Sequence, residues 1–244
     1  FFLIFLGIIA KSAILPIHTW LSDAHPVAPS PMSAILSGVE VEVGLLGFLR
    51  IFAWMGGISW NWILSLAVIS SLIGAGAALL EKDIKKIIAY STVSQVGYIL
   101  LGFALLKEIG ILAGLLYFMV HAIAKAGLFL GAGVVERRYG TRDITKLGGL
   151  MKTSPAFGIG FLFSAFSIAG LPPFGGFYAK LMVIMGTVQE GHFWVATLAI
   201  VAAVFTLLYL FRLFNGIFMG KEVKTSQTKP GRLLVGCVVF LGII

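Results

Sequence analysis

Residues 111–135 read ILAGLLYFMVHAIAKAGLFLGAGVV, an apolar run that contains one histidine and one lysine. A membrane helix needs about 20 consecutive apolar residues, so this stretch predicts one transmembrane helix. A charged side chain at the bilayer centre costs about 2.5–3.5 kcal/mol on insertion scales, and such residues usually face a bundle interior or a water-filled path. Lys125 therefore marks a candidate route for protons or cations.

Two more lysines interrupt or follow apolar runs in the same way. Lys11 lies within the run from Phe1 to Leu15, and Lys180 follows the run from Ala156 to Phe177. Three lysines of this kind, one of them four residues after His121, favour a role in proton or cation translocation.

The composition predicts an all-α polytopic membrane protein. Hydrophobic residues make up 59% of the chain, charged residues make up 11%, and the mean hydropathy is +1.03. The apolar stretches do not alternate with polar residues, which excludes barrel strands and leaves helices as the spanning elements. The single cysteine, Cys237, has no internal disulfide partner.

Eight transmembrane spans are predicted, and two of them should be broken. The first contains Pro16, and the sixth contains Gly170, Pro172, Pro173, Gly175 and Gly176. Broken helices at membrane depth are tolerated where protein or a water-filled cavity covers the freed carbonyls. The predicted spans are 1–21, 31–55, 61–80, 84–105, 109–135, 155–185, 192–219 and 231–244.

The basic residues are concentrated in alternate loops, and this explains the net charge of +8. Twelve of the 18 Lys and Arg residues lie in loops on one side of the predicted membrane, which the positive-inside rule places in the cytoplasm. The charge is thus a consequence of topology, and a nucleic-acid partner is not expected.

His121 and Lys125 are the strongest candidates for proton transfer. They are spaced i, i+4 on one helix face, and Tyr117 lies one turn before them. Histidine changes its charge near neutral pH, and a lysine in a dry site releases its proton more readily. The alternative is a structural histidine beside a lysine that extends to the membrane surface.

Glu40 and Glu42 add two acids to the second span. Residues two apart on a helix point to nearly opposite faces, so they cannot have the same role. We expect one to face a lysine, and Lys11 is the proposed partner of Glu42. Glu40 and Tyr117 are further candidates for the ion route.

The sequence contains no phosphate-binding loop, nucleophile elbow or metal-ligand spacing, so we expect no bond-making chemistry, no cofactor and no metal in this chain.

Four stretches resemble the proton-conducting antiporter-like membrane subunits. This family comprises the large membrane subunits of respiratory complex I, the related Mrp antiporter subunits and those of membrane-bound hydrogenases. The stretches are KSAILPIHTWLSDAHPVAPSPMSA at 11–34, EKDIKKIIAYSTVSQVGYILLG at 81–102, FMVHAIAKAGLFLGAGVV at 118–135 and LPPFGGFYAK at 171–180.

The resemblance implies a fold with two inverted five-helix repeats, each with a broken helix and a lysine-based half-channel. Residues 1–55 then correspond to the last two helices of a first repeat, 61–219 to the second repeat, and 220–244 to a cytoplasmic loop and C-terminal helix. Lys11 matches the channel lysine of the first repeat, Lys125 with His121 the central pair, and Lys180 the outlet lysine. The chain begins at Phe1 and ends within an apolar run, so we expect it to be part of a longer protein.

The chain departs from the family pattern at two positions of the relay. Glu42 stands where members often carry a bridging lysine or histidine, and Tyr117 stands where some members have a further histidine. These departures leave open whether the transported ion is a proton or sodium.

Three functions fit the sequence. The first is translocation of protons, or of sodium, by a subunit of a redox-driven complex whose electron chemistry lies in other subunits. The second is an Mrp-type cation/proton antiporter subunit, and the third is a non-conducting membrane scaffold. All three place the chain in the cell membrane or an inner organellar membrane, with lipid and other membrane subunits as partners.

The topology can be tested by labelling. In a variant whose Cys237 is replaced, single cysteines introduced in 141–147 or 224–229 should react with an impermeant reagent only from the cytoplasmic side, because the basic loops lie there. A cysteine near Glu190 should react only from outside. The reverse pattern would overturn both the orientation and the eight-span count.

Overall fold

The computed structural model describes residues 2–52, 61–223 and 232–243. Predictions that fall on Phe1, on 53–60, on 224–231 and on Ile244 lie outside these residues. Among them are the end of the second predicted span and the basic residues Lys224 and Lys229. In the described part the chain is all-α, as predicted, and its strand-like pairing is a single bridge between Asp83 and Asp143.

The helices follow the predicted spans closely, with two spans divided. They are α1 (Phe2–Lys11), α2 (Thr19–Val27), α3 (Ser30–Ile35), α4 (Val41–Phe52), α5 (Asn61–Leu80), α6 (Ile84–Ala104), α7 (Glu108–Tyr139), α8 (Leu150–Thr153), α9 (Pro155–Ala169), α10 (Gly175–Gln189), α11 (Phe193–Phe218) and α12 (Arg232–Ile243). A π-helical segment, Leu36–Glu40, joins α3 to α4, and a 3₁₀ turn covers Ile144–Lys146.

Within the described residues, five helical stretches are long and apolar enough to cross a membrane: 30–52, α5, α6, α7 and α11. The remaining apolar helices are shorter, so the count of eight spans stays a prediction. Helix α6 is the centre of the bundle, since almost all of its residues are buried and it packs against α5, α7 and α2. Large apolar side chains such as Ile69, Leu208 and Phe211 lie exposed on the outer faces, as lipid contact requires.

The first predicted break is present between α1 and α2. Helix α1 ends at Lys11, and the chain around Pro16 is not helical before α2 begins at Thr19. At the end of α1 the carbonyl of Ala10 accepts from the indole Nε1 of Trp20 at 3.0 Å and from the backbone N–H of Ala13 at 3.3 Å.

The second predicted break separates α9 from α10. Gly170 ends α9 with φ of 78°, a left-handed conformation that favours glycine. The carbonyl of Ile168 is left free of helical bonding and accepts a hydrogen bond from Lys180 Nζ at 2.8 Å. At Gly176, the backbone of Ser167 leaves no room for a Cβ atom.

The π-helical segment lies directly before Glu42. It adds a residue to one turn, so it changes which side chains of the following helix face inward. Ser37 in this segment is hydrogen-bonded to Thr92 of α6 at 2.6 Å, and both side chains are buried. The segment thus fixes the direction of Glu42 relative to α6 and α7.

Arg142 ties together the ends of three helices. Its guanidinium donates to Asp83 at 2.9 Å, to the carbonyl of Pro26 at 2.6 Å and to Glu136 at 3.4 Å. Asp83 also caps α6 by accepting from the backbone N–H of Lys85 at 2.8 Å. In the same loop, hydrogen bonds from the side chain and backbone of Thr145 hold the pKa of the Asp143 carboxyl below its usual value.

Arg212 joins α11 to the end of α5. Its guanidinium donates to the carbonyls of Leu79 and Glu81, where α5 ends. A cation at these carbonyls also complements the negative end of the helix dipole. The role of Arg212 in this chain is therefore to cap a helix.

The tight contact at Gly176 gives a stability prediction. Gly176→Ala should destabilise the protein by about 1–3 kcal/mol, because the added methyl overlaps the Ser167 carbonyl and forces the broken helix apart. Thermal unfolding in detergent measures this effect. Gly76→Ala in α5 is the matched control, since its Cβ would meet open space, and an equal loss in both variants would contradict the prediction.

Candidate functional site

His121 and Lys125 lie on one face of α7 and are both completely buried, as their spacing predicts. Lys125 Nζ donates to the carbonyl of Ile88 at 2.9 Å and to the hydroxyl of Ser91, both on α6. The Ser91 hydroxyl in turn donates to Ile88 at 2.8 Å. The lysine therefore points into the centre of the bundle and not toward a membrane surface.

Glu42 contacts His121 and not Lys11. Its Oε1 is hydrogen-bonded to Nδ1 of His121, and both side chains are fully buried. The predicted pairing of Glu42 with Lys11 is wrong, because the π-helical segment before α4 directs Glu42 toward α7. The second oxygen of Glu42 and Nε2 of His121 are buried without a partner in the part of the chain that the structure describes.

Lys11 pairs with Glu40 on the outer surface of the described bundle. The two side chains form a hydrogen-bonded ion pair and are 44% and 49% exposed. The expectation that Glu40 and Glu42 face opposite ways is therefore confirmed. Lys11 does not join the buried groups around Lys125.

Lys180 is buried beside the second helix break. Its Nζ lies 5.0 Å from the ring centre of Tyr98 and 5.7 Å from that of Tyr117, both suitable for cation–π contact. The same amine donates to the carbonyl of Ile168 at 2.8 Å, and the Tyr117 hydroxyl lies 3.3 Å from that oxygen. The broken helix thus supplies the hydrogen-bond acceptor for the lysine.

Gln95 of α6 connects the two lysine regions. Its Oε1 accepts from the Tyr117 hydroxyl, while its Nε2 donates to Tyr209 at 3.1 Å and to Thr206 at 3.2 Å. Tyr209 also lies near Ser91, the acceptor of Lys125. Sequence reasoning missed these contacts, although polar residues at 91, 92, 94 and 95 within an apolar helix were a signal.

Eight of the buried polar side chains lie in one row through the bundle. We call it the polar row, and in spatial order it consists of Glu42, His121, Lys125, Ser91, Tyr209, Gln95, Tyr117 and Lys180. The step from His121 to Lys125 is one helical turn, and the step from Tyr117 to Lys180 is through the ring face and the shared Ile168 carbonyl. Amine, imidazole, carboxyl and hydroxyl groups can all accept and release protons, so most of this row has the chemistry of a proton relay.

His25 of α2 is completely buried. Its ring stacks on Phe129 with 4.4 Å between centroids, and neither ring nitrogen has a partner within the described residues. In the same part of the chain, no three His, Cys, Asp or Glu residues are grouped to hold a metal ion.

Comparisons with known proteins agree with this architecture. Residues 1–206 match the family described as NADH:quinone oxidoreductase/Mrp antiporter, TM. The chain is 32% identical to a Na(+)/H(+) antiporter subunit of Alkalihalophilus pseudofirmus, covering 98% of this chain and 50% of that protein. It is 40% identical to Hydrogenase-4 component B of Escherichia coli, covering 74% of this chain and 29% of that protein.

A solved structure shares the fold. The Mrp complex from a Dietzia species contains a chain with a TM-score of 0.93 and 30% identity, over 98% of this chain and 53% of that one. The present chain therefore spans about half the length of the antiporter subunit and of the Mrp chain, and 29% of the hydrogenase component. It is a multi-pass membrane protein, and it belongs to the NADH:quinone oxidoreductase/Mrp antiporter transmembrane family.

Proposed function

We propose that this chain translocates protons, or sodium ions, across the membrane as an antiporter-like subunit of a complex related to complex I or to membrane-bound hydrogenase. The observation that carries the proposal is the polar row, which aligns buried ionisable and hydroxyl groups through the centre of an apolar bundle. Burying such groups is costly, so a row of them is expected where ions move.

Lys125 is the central carrier of this row. Among the described residues, its amine donates to neutral oxygens of α6, which can hold the charged or the uncharged amine in one place. Lys180 forms the next carrier, and its carbonyl acceptors at the helix break are available in both charge states. Between the two lysines the hydroxyls of Ser91, Tyr209 and Tyr117 provide sites along which a proton can pass.

Gln95 is the one member of the polar row that does not readily take up and release a proton. Its amide positions Tyr117 and Tyr209, so passage between their hydroxyls needs a water molecule beside the amide. Transport between Lys125 and Lys180 is therefore expected to depend on hydration of this point.

The exposed pair Lys11–Glu40 supports the proposed repeat organisation. An ion pair half-exposed at membrane depth is unfavourable against lipid, so we propose that a further protein segment covers it. This fits residues 1–55 as the end of a first inverted repeat and residues 61–219 as a second repeat, in a fold of eight spans for this chain. Lys11 then belongs to a separate half-channel from Lys125.

An Mrp-type antiporter subunit is the second candidate. The TM-score of 0.93 and the 30% identity to a chain of the Mrp complex favour it specifically. The composition of the purified complex separates the two candidates, since a redox-driven complex contains electron-transfer subunits and an Mrp-type complex does not.

The central prediction concerns Lys125. Lys125→Ala should abolish ion translocation in proteoliposomes that contain the assembled complex, because the row loses its only amine between His121 and Ser91. Lys152→Ala, at an exposed residue of α8, is the control and should transport like the parent. Full transport by assembled Lys125→Ala complex would favour the scaffold function instead.

Tyr117 provides a second prediction. Tyr117→Phe keeps the ring near Lys180 and removes the hydroxyl that bonds Gln95, so transport should fall by about tenfold, equivalent to about 1.4 kcal/mol and within the cost of an unsatisfied buried acceptor. Tyr178→Phe is the matched control, because Tyr178 is exposed on α10. Equal rates in the two variants would exclude Tyr117 from the route.

A further inference from the structure

We propose that Glu42 sets the number of protons held by the buried cluster of Glu42, His121 and Lys125, so that the cluster carries one mobile proton at zero net charge. This inference rests on the proposed translocation through Lys125. It assigns to Glu42 a role that differs from pairing with Lys11.

The first step is the geometry of the cluster. Glu42 and His121 are hydrogen-bonded side chain to side chain, and Lys125 lies one turn after His121 on the same helix face. All three side chains are completely buried, and Lys125 is near enough to Glu42 for the two charges to interact. The three groups therefore form one buried cluster in which the charge of each group affects the others.

The second step is the surroundings, which supply no other counter-charge within the described residues. Helix α6 offers Lys125 only the Ile88 carbonyl and the Ser91 hydroxyl. Lys180 of α10 is bonded to backbone carbonyls, and His25 of α2 is stacked on Phe129. Two further lysines on helices of the same bundle are already paired with carboxylates. Lys11 pairs with Glu40, and Lys85 pairs with Glu136.

The third step is the charge count. A cluster with an ionised Glu42 and neutral His121 and Lys125 has one negative charge, and one added proton makes it neutral. That proton can reside on Lys125, on His121 or on Glu42 without any change in net charge. A second proton gives a net positive charge, which a dry interior strongly disfavours.

A base at position 42 would change the relation between the number of bound protons and the net charge. Three bases are neutral when they hold no mobile proton, so every proton they accept creates a net charge. Glu42 therefore allows the cluster to hold one mobile proton in its uncharged state. It also makes the motion of the proton between α4 and α7 a transfer within a neutral unit.

The pH dependence of transport tests this count. Glu42→Gln removes the negative charge and keeps a side chain of the same size, so the cluster should bind its proton at least about tenfold more weakly. As pH rises, transport should then be lost at least about one pH unit lower than in the parent. Glu42→Asp should return the midpoint toward that of the parent, and Glu108→Gln, at an exposed residue, should leave it unchanged.

Assembly of charge-changed variants gives a test that does not depend on transport. Lys125→Arg alone keeps a cation beside Glu42, whereas Glu42→Gln with Lys125→Arg leaves that cation without a counter-charge. The double variant should therefore yield at most about a tenth of the assembled complex obtained with Lys125→Arg alone. Glu42→Gln with Lys125→Met is neutral and should assemble, also where Glu42→Gln alone does not.

These outcomes separate the two proposals. Equal assembly of Lys125→Arg with and without Glu42→Gln, or an unshifted midpoint in assembled Glu42→Gln, would overturn the charge count and leave translocation intact. Undiminished transport by Lys125→Ala would overturn translocation through this residue, whereas the assembly result would still report the charge balance.

Discussion

The cost of placing a charge in a medium without water governs this structure. Each buried ionisable group must have a counter-charge, a hydrogen-bond partner or a neutral form. Glu42 has His121, Lys125 has two oxygens of α6, and Lys180 has a free carbonyl and two aromatic faces. The broken helix and the π-helical segment follow from the same constraint, because regular helices leave no backbone group free and allow little choice of side-chain direction. The irregular segments therefore lie where the ionisable groups need them.

Much of the fold follows from local sequence. Apolar runs of membrane-spanning length predicted the helices, and Pro16 and the Gly170–Gly176 segment predicted the two breaks correctly. The burial of Lys125 and Lys180 was also predictable, since each lies in or beside an apolar run. These features depend on hydrophobicity and on backbone rules that act within a single helix.

The partners of the buried groups could not be derived in the same way. Glu42 was expected to meet Lys11, but the π-helical segment changes the helix register by an amount that the sequence does not reveal. Gln95 was missed because its partners come from α7 and α11, which are distant in sequence. Such contacts depend on how three helices pack together, and one helix pattern does not contain this information.

The presence of water in the bundle is the most direct test of ion translocation along the polar row. A cryo-electron microscopy map of the intact complex, at a resolution that shows ordered water, would reveal what surrounds the polar row. If ions move along the polar row, water should lie at the unpartnered atoms of Glu42 and His121 and beside Gln95. This water should be continuous with one surface of the membrane. A row sealed by apolar side chains on both sides, without water at these positions in any state of the complex, would contradict ion translocation through this chain.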